Sequence, residues 1–378
     1  MFPDFTAADY THMARALRLA EHGLYSTQPN PRVGCVLARD GLVVGEGWHD
    51  RAGEAHAEVV ALRAAGERAR GATAYVTLEP CAHFGRTPPC ADALIAAGVA
   101  RIVAACEDPN PNVAGRGMHR MQAAGIACDM GLLRNEARAL NRGFMSRMER
   151  QRPWVRIKLA MSLDGRTALA NGASQWITGE AARADVQHWR ARSSAIMTGS
   201  GTVLADNPRL TVRADQLAHE RASMESTYFV APLRVVLDRA LMTPRGANLL
   251  DGSVPTLILH GEDSAAVDDR FARVECGAVP LDRSSGGLDL PAVLAMLAQR
   301  GDNELQVEAG PRLCGALFTA GLVDELLLYV APVLLGDSAR PLLALPALQT
   351  IAEGRRLRVV DQRQIGDDLR LRCEVQPN

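Results

Sequence analysis

The sequence predicts an α/β protein made of two α/β domains. Short apolar runs of strand length alternate with helix-length segments along almost the whole chain, the order that lays helices on a sheet. The 378 residues, 47% of them apolar, suffice for two hydrophobic cores rather than one. The run Arg147-Met-Glu-Arg-Gln-Arg152 is basic and stops at Pro153, a composition shift expected at a boundary. The domains are therefore placed at 1–150 and 151–378.

In the first domain, Thr6 and Asp9 form an acidic version of a helix N-cap box, and an Ala/Leu-rich helix should run to about Gly23. Pro29-Asn30-Pro31 reads as a loop. Val33–Ala38 and Leu42–Glu46 read as strands joined by the hairpin turn Asp40-Gly41. A helix follows from His56 to about Arg68, then a strand at Ala74–Leu78, a helix from Cys90 to Ala97 ended by Gly98, and a strand at Ile102–Ala105. In the second domain, Val155–Ala160, Ala195–Thr198, Arg234–Leu237, Thr256–Leu259 and Leu305–Val307 read as strands. Gly179–Arg192 and Pro311–Ala320 read as helices, the latter opening on proline at its first turn. Leu326–Val330 and Leu369–Val375 read as closing strands, and Asp215–Ser226 as a polar surface loop or short helix.

Composition narrows the function. The net charge is −1 and no long like-charge block occurs, so neither a nucleic acid nor a membrane is an expected partner. The longest apolar runs, such as Leu326–Leu335, hold about ten residues and include a proline, against the ~20 that a membrane span needs. Met-Phe-Pro-Asp-Phe-Thr at the start lacks the basic and apolar regions of a secretory signal. Eight cysteines dispersed through a long chain do not resemble a disulfide scaffold. A cytoplasmic homo-oligomer that takes a small molecule is expected.

One constellation carries specific chemistry. His56-Ala57-Glu58 is followed by Pro80-Cys81 and Cys90. A catalytic zinc takes three protein ligands and leaves one position open, and His56, Cys81 and Cys90 supply three. Glu58 sits where it can move protons without ligating, the H-x-E…P-C-x-x-C arrangement of zinc deaminases. The spacing departs from that pattern: eight residues, not two, separate the cysteines. The extra loop brings in His83, Arg86 and Thr87, and His83 stands as an alternative ligand. Asn30 is a candidate for the edge or ribose of a base, because an amide both donates and accepts.

The second domain has no G-x-G-x-x-G fingerprint, which argues against a Rossmann cofactor site. Instead Glu308-Ala-Gly310-Pro311-Arg312-Leu313-Cys314-Gly315 follows a strand and opens a helix, where glycine and a helix N-terminus suit a phosphate. A plain strand-to-helix turn explains it equally well. Lys158, on an otherwise apolar strand, is expected to face a cleft. Arg190 and Arg213 suit a phosphate through paired donors. Asp206, in Ala-Asp-Asn-Pro, reads locally as a turn residue.

The motifs Gly53–Glu58, Cys81–Cys90 and Asp108-Pro-Asn-Pro resemble those of the RibD family of bifunctional riboflavin biosynthesis enzymes. Lys158–Arg166, Ser174–Thr178, Thr202–Arg213 and Glu308–Pro311 resemble its reductase half. The likeness covers nearly the whole chain. It implies a cytidine-deaminase-like α/β/α layer followed by a dihydrofolate-reductase-like α/β domain. It implies zinc-dependent deamination of a diaminopyrimidinone bearing phosphoribosylamine, a pyrimidine nucleotide, then NADPH-dependent reduction of its ribosyl group to ribityl. It also implies cofactor contacts at Ala160, Trp176, Thr202, Asp206 and Gly310 through Ala316 (Gly310, Pro311, Arg312, Leu313, Cys314, Gly315, Ala316). Substrate contacts are implied at Ser174, Arg190, Leu210, Arg213 and Glu308, with Asp206 and Lys158 joining Glu58 as catalytic residues. Arg239 stands where relatives can carry a smaller polar residue, and its role toward the cofactor 2′-phosphate is open. Two other readings remain at this level: a nucleobase deaminase with an unrelated nucleotide-binding domain, and a structural zinc module with a regulatory role.

Overall fold

The first helix begins where its sequence says it should. Thr6 Oγ1 accepts from Asp9 N–H at 3.2 Å while Asp9 Oδ2 accepts from Thr6 N–H at 2.9 Å, closing a capping box on α1 (Ala7–Glu21). In this computed structural model the described residues are 4–82, 89–111, 113–217, 229–264 and 266–376. They divide into two compact units, one holding the described residues up to 151 with 229–230 and the other those of 152–217 and 231–376.

In the first unit β1 (Gly34–Arg39) and β2 (Leu42–Trp48) form the expected hairpin. Asp40 and Gly41 both take positive φ, 51° and 77°, as a two-residue turn of matching twist requires. β3 (Thr73–Val76), β4 (Arg101–Ala104) and β5 (Ala127–Met130) complete a five-stranded sheet in the order β2-β1-β3-β4-β5. Successive residues of each strand serve opposite faces. Cys35, Leu37, Ala74, Val76, Ile102 and Ala104 pack under α2 (Ala57–Ala65), α3 (Cys90–Ala96) and α4 (Arg116–Ala123). Val36, Tyr75 and Val103 pack under α1, α5 (Arg134–Leu140) and α6 (Arg142–Arg150). The result is an α/β/α layer. The basic run that begins at Arg147 is the end of a helix with Phe144 and Met145 buried. The elements α4 to α6 and β5 were not anticipated.

Among the described residues, the main sheet of the second unit holds nine strands: β6 (Trp154–Ser162), β8 (Ala195–Gly199), β9 (Leu233–Leu237), β10 (Thr256–Gly261), β11 (Glu275–Val279), β12 (Glu304–Val307), β13 (Glu325–Ala331), β15 (Leu357–Ile365) and β16 (Asp368–Val375). Their order is β11-β10-β9-β8-β12-β6-β13-β16-β15. β7 (Arg166–Ala168) and β14 (Arg340–Pro341) form a separate two-stranded pair. The sheet is parallel up to β13 and antiparallel from there. Neither β13 nor β16 closes it; β15 does, and its polar, exposed sequence hid it. The helices are α7 (Glu180–Arg192), α8 (Ser200–Asp206), α9 (Leu290–Gln299) and α10 (Pro311–Thr319). Asp206 is therefore the last residue of a helix, with Asn207 capping it at φ 40°, rather than a free turn residue. Ala214–Leu217 is a 3₁₀ turn, and the rest of the Asp215–Ser226 stretch lies outside the described residues.

β6 is less apolar than its neighbours, and this matters for the site. Val155, Ile157 and Leu159 face the main core, while Arg156 and Lys158 share the other face. Arg156 is fully buried and donates to Glu325 Oε1 at 2.9 Å and Glu304 Oε2 at 3.0 Å. Such a buried network roughly breaks even against apolar packing, but losing one partner costs about 3–5 kcal/mol. It gives the polar face of this sheet a definite arrangement beneath α7.

Candidate active sites

His56 is the N-cap of α2, so its backbone is still extended and its ring projects from the helix start. Glu58 lies in the first turn of the same helix, where the helix dipole favours a carboxylate. Cys90 opens α3, and Cys81 lies in the segment that follows β3. His56 Nδ1 lies 3.3 Å from Cys90 Sγ and 3.8 Å from Cys81 Sγ. The three ligand atoms fall within 4.8 Å of one another. Cys90 N–H donates to Cys81 Sγ at 3.3 Å, a contact that favours the thiolate. One imidazole and two thiols at this spacing fit a zinc ion with one coordination position left over. The Cys81 thiol is pulled down by its contacts with Cys90 and His56, while that of Cys90 is pushed up by Cys81 and by burial.

A pocket of about 440 Å³ meets this cluster at His56, Glu58 and Cys81. Glu58 is 3% exposed, and burial raises its carboxyl to about 7, against the opposing pull of His56. Asn30 lines the same pocket, as expected. Residues not foreseen there include His49, Glu79, Asp108, Asn110 and Arg147. His49 has a clear role in orientation. Its Nδ1 lies 3.1 Å from the Ala55 carbonyl, which can only accept, so Nδ1 carries the proton and Nε2 accepts from Asn30 Nδ2 at 3.0 Å. The Asn30 amide is thereby oriented with its nitrogen toward His49. Burial lowers the His49 imidazole, consistent with the neutral ring. The motif Asp108-Pro-Asn-Pro was visible in sequence as a likeness without a role. His49 gave no signal, because its contacts with Asn30 and Ala55 are made by folding. His83, Arg86 and Thr87 lie outside the described residues.

In the second unit a cleft of about 1410 Å³ gathers most of the expected residues. Lys158, Ala160, Ser174, Trp176, Arg190, Thr202, Asp206, Leu210, Arg213, Glu308 and Gly310–Leu313 all line it. The N-terminus of α10 opens on this cleft with no side-chain cap, leaving backbone N–H groups suited to a phosphate. A cleft of this size with such a lining fits a dinucleotide. Trp176 is 66% exposed, and the Arg183 guanidinium stacks 4.6 Å over its ring while donating to the Thr178 carbonyl at 2.7 Å.

Other expected residues lie outside the cleft lining or are engaged in contacts that the sequence did not show. Cys314, Gly315 and Ala316 are not among the cleft-lining residues. Cys314 is fully buried, its thiol donating to the Ala309 carbonyl at 3.3 Å; a Cβ on Gly315 would stand 2.2 Å from the Ala344 carbonyl oxygen; Ala316 faces solvent. One further helical turn has rotated them away from the N-terminus. Leu210 reaches the cleft with a backbone at φ 47°, while its side chain packs in a core cluster. Arg190 does not stand ready for a phosphate: it donates to Glu308 through Nε at 2.7 Å and Nη2 at 2.8 Å, and to the Thr211 carbonyl at 2.9 Å. Burial alone would raise the Glu308 carboxyl, but the Arg190 charge and hydrogen bond, with Lys158, hold it at about 2. Lys158 is lowered by burial, partly offset by Glu308. Arg239 pairs with Asp263 at 3.0 Å and is not among the cleft-lining residues.

A three-donor metal cluster in an α/β/α layer and a dinucleotide-sized cleft on a separate mixed sheet define a class: enzymes that join a zinc-dependent deaminase to a reductase. Residues 6–106 match the cytidine and deoxycytidylate deaminase zinc-binding region, and residues 153–371 match the RibD C-terminal domain. The chain is 50% identical over 362 residues to the riboflavin biosynthesis protein RibD of Escherichia coli strain K12, covering 96% of this chain and 98% of that one. It is 46% identical to the RibD of Haemophilus influenzae over 371 residues, with 97% and 98% coverage. Among solved structures, Acinetobacter baumannii RibD superposes with a TM-score of 0.87 at 43% identity, covering 98% of this chain and 99% of the other. A diaminohydroxyphosphoribosylaminopyrimidine deaminase/5-amino-6-(5-phosphoribosylamino)uracil reductase from Thermotoga maritima gives 0.83 at 29% identity with the same coverage. The chain belongs to the RibD family. It is a bifunctional deaminase and reductase of riboflavin biosynthesis that uses zinc and NADPH. No helix among the described residues is long and apolar enough to cross a membrane.

Proposed function

We propose that residues 1–150 deaminate 2,5-diamino-6-(5-phosphoribosylamino)pyrimidin-4-one to 5-amino-6-(5-phosphoribosylamino)uracil, and that residues 151–378 reduce the ribosyl group of that product to ribityl. The observation that carries this is the meeting of His56, Cys81 and Cys90 within 4.8 Å beside the buried Glu58. His56, Cys81 and Cys90 would hold zinc, which when bound activates water at neutral pH. Glu58 moves the proton from water to the departing ammonia. Asn30, oriented by His49, meets the base or its ribose.

In the second unit Ala160, Trp176, Thr202 and Gly310–Leu313 form the cofactor wall. NADPH supplies the hydride. Opening the ribosyl ring leaves an oxygen that must take a proton, and Lys158 and Asp206 are assigned to it. Ser174, Arg190, Leu210, Arg213 and Glu308 form the substrate side, and the charges of Glu308 and Arg190 act on Lys158.

A chelator separates the two activities. Added to the full chain with the diaminopyrimidine nucleotide, it should reduce ammonia release at least about 10²-fold. NADPH oxidation with the deaminated nucleotide supplied should stay unchanged. Undiminished ammonia release would exclude the metal site.

The same reading includes a homo-oligomer in the cytoplasm. β15 closes the nine-stranded sheet, and among the described residues no strand pairs with its outer edge. Val359 on it is 55% exposed. Light scattering should give a mass above that of one chain, reduced by Val359→Lys; a wild-type monomer would overturn it. None of the eight cysteines is in a disulfide, which suits a reducing compartment, and recovery of the chain outside the cytoplasm on fractionation would count against that placement.

A further inference from the structure

The pocket of the first unit contains a carboxylate that the deamination chemistry does not use. Glu79 lies two residues before Cys81 and is 3% exposed. Its Oε1 accepts from Gly117 N–H at 2.9 Å and Met118 N–H at 3.2 Å. Its Oε2 accepts from Gly115 N–H at 2.9 Å and, more weakly, from Asp108 N–H at 3.4 Å. Four backbone donors from one stretch of chain converge on a single side chain.

That stretch has two parts. Asp108 starts the loop whose Asp108, Asn110 and Val113 line the substrate pocket. Gly117 and Met118 belong to the first turn of α4, which has no side-chain cap of its own. A distant carboxylate thus does what a local N-cap residue would do, and the helix dipole strengthens it. The fit is close: a Cβ on Gly117 would stand 1.9 Å from the Pro80 carbonyl oxygen. Glu79 N–H is itself held by the Cys106 carbonyl at 3.0 Å. The segment Glu79-Pro80-Cys81 is therefore clamped at its first residue, and Cys81 is the group that the clamp aims.

We propose that Glu79 is a positioning residue that locks the segment carrying Cys81 and the pocket wall at Asp108, Asn110 and Val113 to each other, so that metal retention and substrate affinity depend on one buried carboxylate. The inference rests on the metal-site reading above. Glutamine in its place would turn an NH₂ group toward backbone N–H donors, and both segments would loosen together. Groups hydrogen-bonded to a metal ligand typically change metal affinity or activity about 10- to 100-fold when removed, and the same scale is expected for Glu79, which acts on Cys81 through the chain.

The test uses the full zinc-loaded chain and its Glu79→Gln, Glu79→Asp and Gly117→Ala variants. Three quantities are measured: zinc transfer to a chromogenic chelator, KM and kcat for deamination with zinc in excess, and NADPH oxidation on the deaminated nucleotide. Glu79→Gln should release zinc about 10- to 100-fold faster and raise KM about tenfold, with kcat little changed. Glu79→Asp, which keeps the charge on a shorter arm, should fall between it and the wild type. Gly117→Ala should reproduce both effects with the carboxylate intact, by pushing α4 off the loop. NADPH oxidation should not move in any of them. If Glu79→Gln does not fold, the milder Glu79→Asp and Gly117→Ala decide the matter. Zinc release and KM that stay at wild-type values, or a change in only one of them, would overturn the coupling. A wild-type chain that holds no zinc would instead overturn the metal site itself.

Discussion

Replacing Glu58 by glutamine is expected to lower ammonia release by about 10²- to 10⁴-fold, the usual contribution of a positioned acid–base group. The substitution is nearly isosteric, and Glu58 is not one of the three clustered donors, so zinc content should remain at the wild-type level. NADPH oxidation with the deaminated nucleotide should be unaffected. Glu58 is suited to the task because it is buried at the pocket, in the first turn of α2, with its carboxyl raised to about 7 by that burial. A glutamine there can still hydrogen-bond but cannot carry a proton from water to ammonia. Activity near wild type in Glu58→Gln would remove it from the chemistry. Loss of zinc in that variant would place it in the metal site instead.

The second large effect is expected in the other unit. Glu308→Gln should lower reductase kcat/KM about 10- to 100-fold, the size set by losing charge-assisted hydrogen bonds worth about 1.5–3 kcal/mol. Glu308 is the counter-charge to Arg190 and Lys158, and it also accepts from Gln306 Nε2 at 2.8 Å. Without it two cations would face each other with little water to screen them. The direction of the pH effect follows. Glu308 raises the Lys158 ammonium and Arg190 lowers it, so losing Glu308 lowers the pH at which Lys158 gives up its proton. If reduction needs the ammonium form, activity is present below that pH and lost above it. The alkaline limb of the NADPH oxidation profile should therefore move to lower pH in the variant. A lower rate with an unmoved limb would mean that Glu308 acts on Arg190 and not through Lys158.

Much of this molecule was legible in the chain because the relevant signals are local. The Thr6–Asp9 box, the Asp40-Gly41 turn and the glycine after α3 each act over a few residues. The unbroken apolar runs of β1, β3 and β4 report two covered faces directly. Elements with weaker patterns escaped. β15 is an edge strand, so few of its side chains had to be apolar. α4 is short, starts at a left-handed glycine and draws its cap from Glu79, thirty-odd residues away in sequence, so no local N-cap signal exists.

The sites divide in the same way. By itself the sequence offered His56, Cys81 and Cys90 as the donor set with His83 as an alternative, and picked out Glu58 and the strand-to-helix segment at Gly310, because each depends on residue type at fixed spacing in one or two short segments. Only the tertiary structure decided that Arg190 is engaged by Glu308, that Cys314, Gly315 and Ala316 turn away from the cleft, and that His49 orients Asn30. Only it showed Glu79 gripping a loop and a helix at once. Those facts arise from contacts between segments far apart in sequence. Such contacts are set by how helices pack on the two sheets, and no periodicity or spacing within a single segment encodes them.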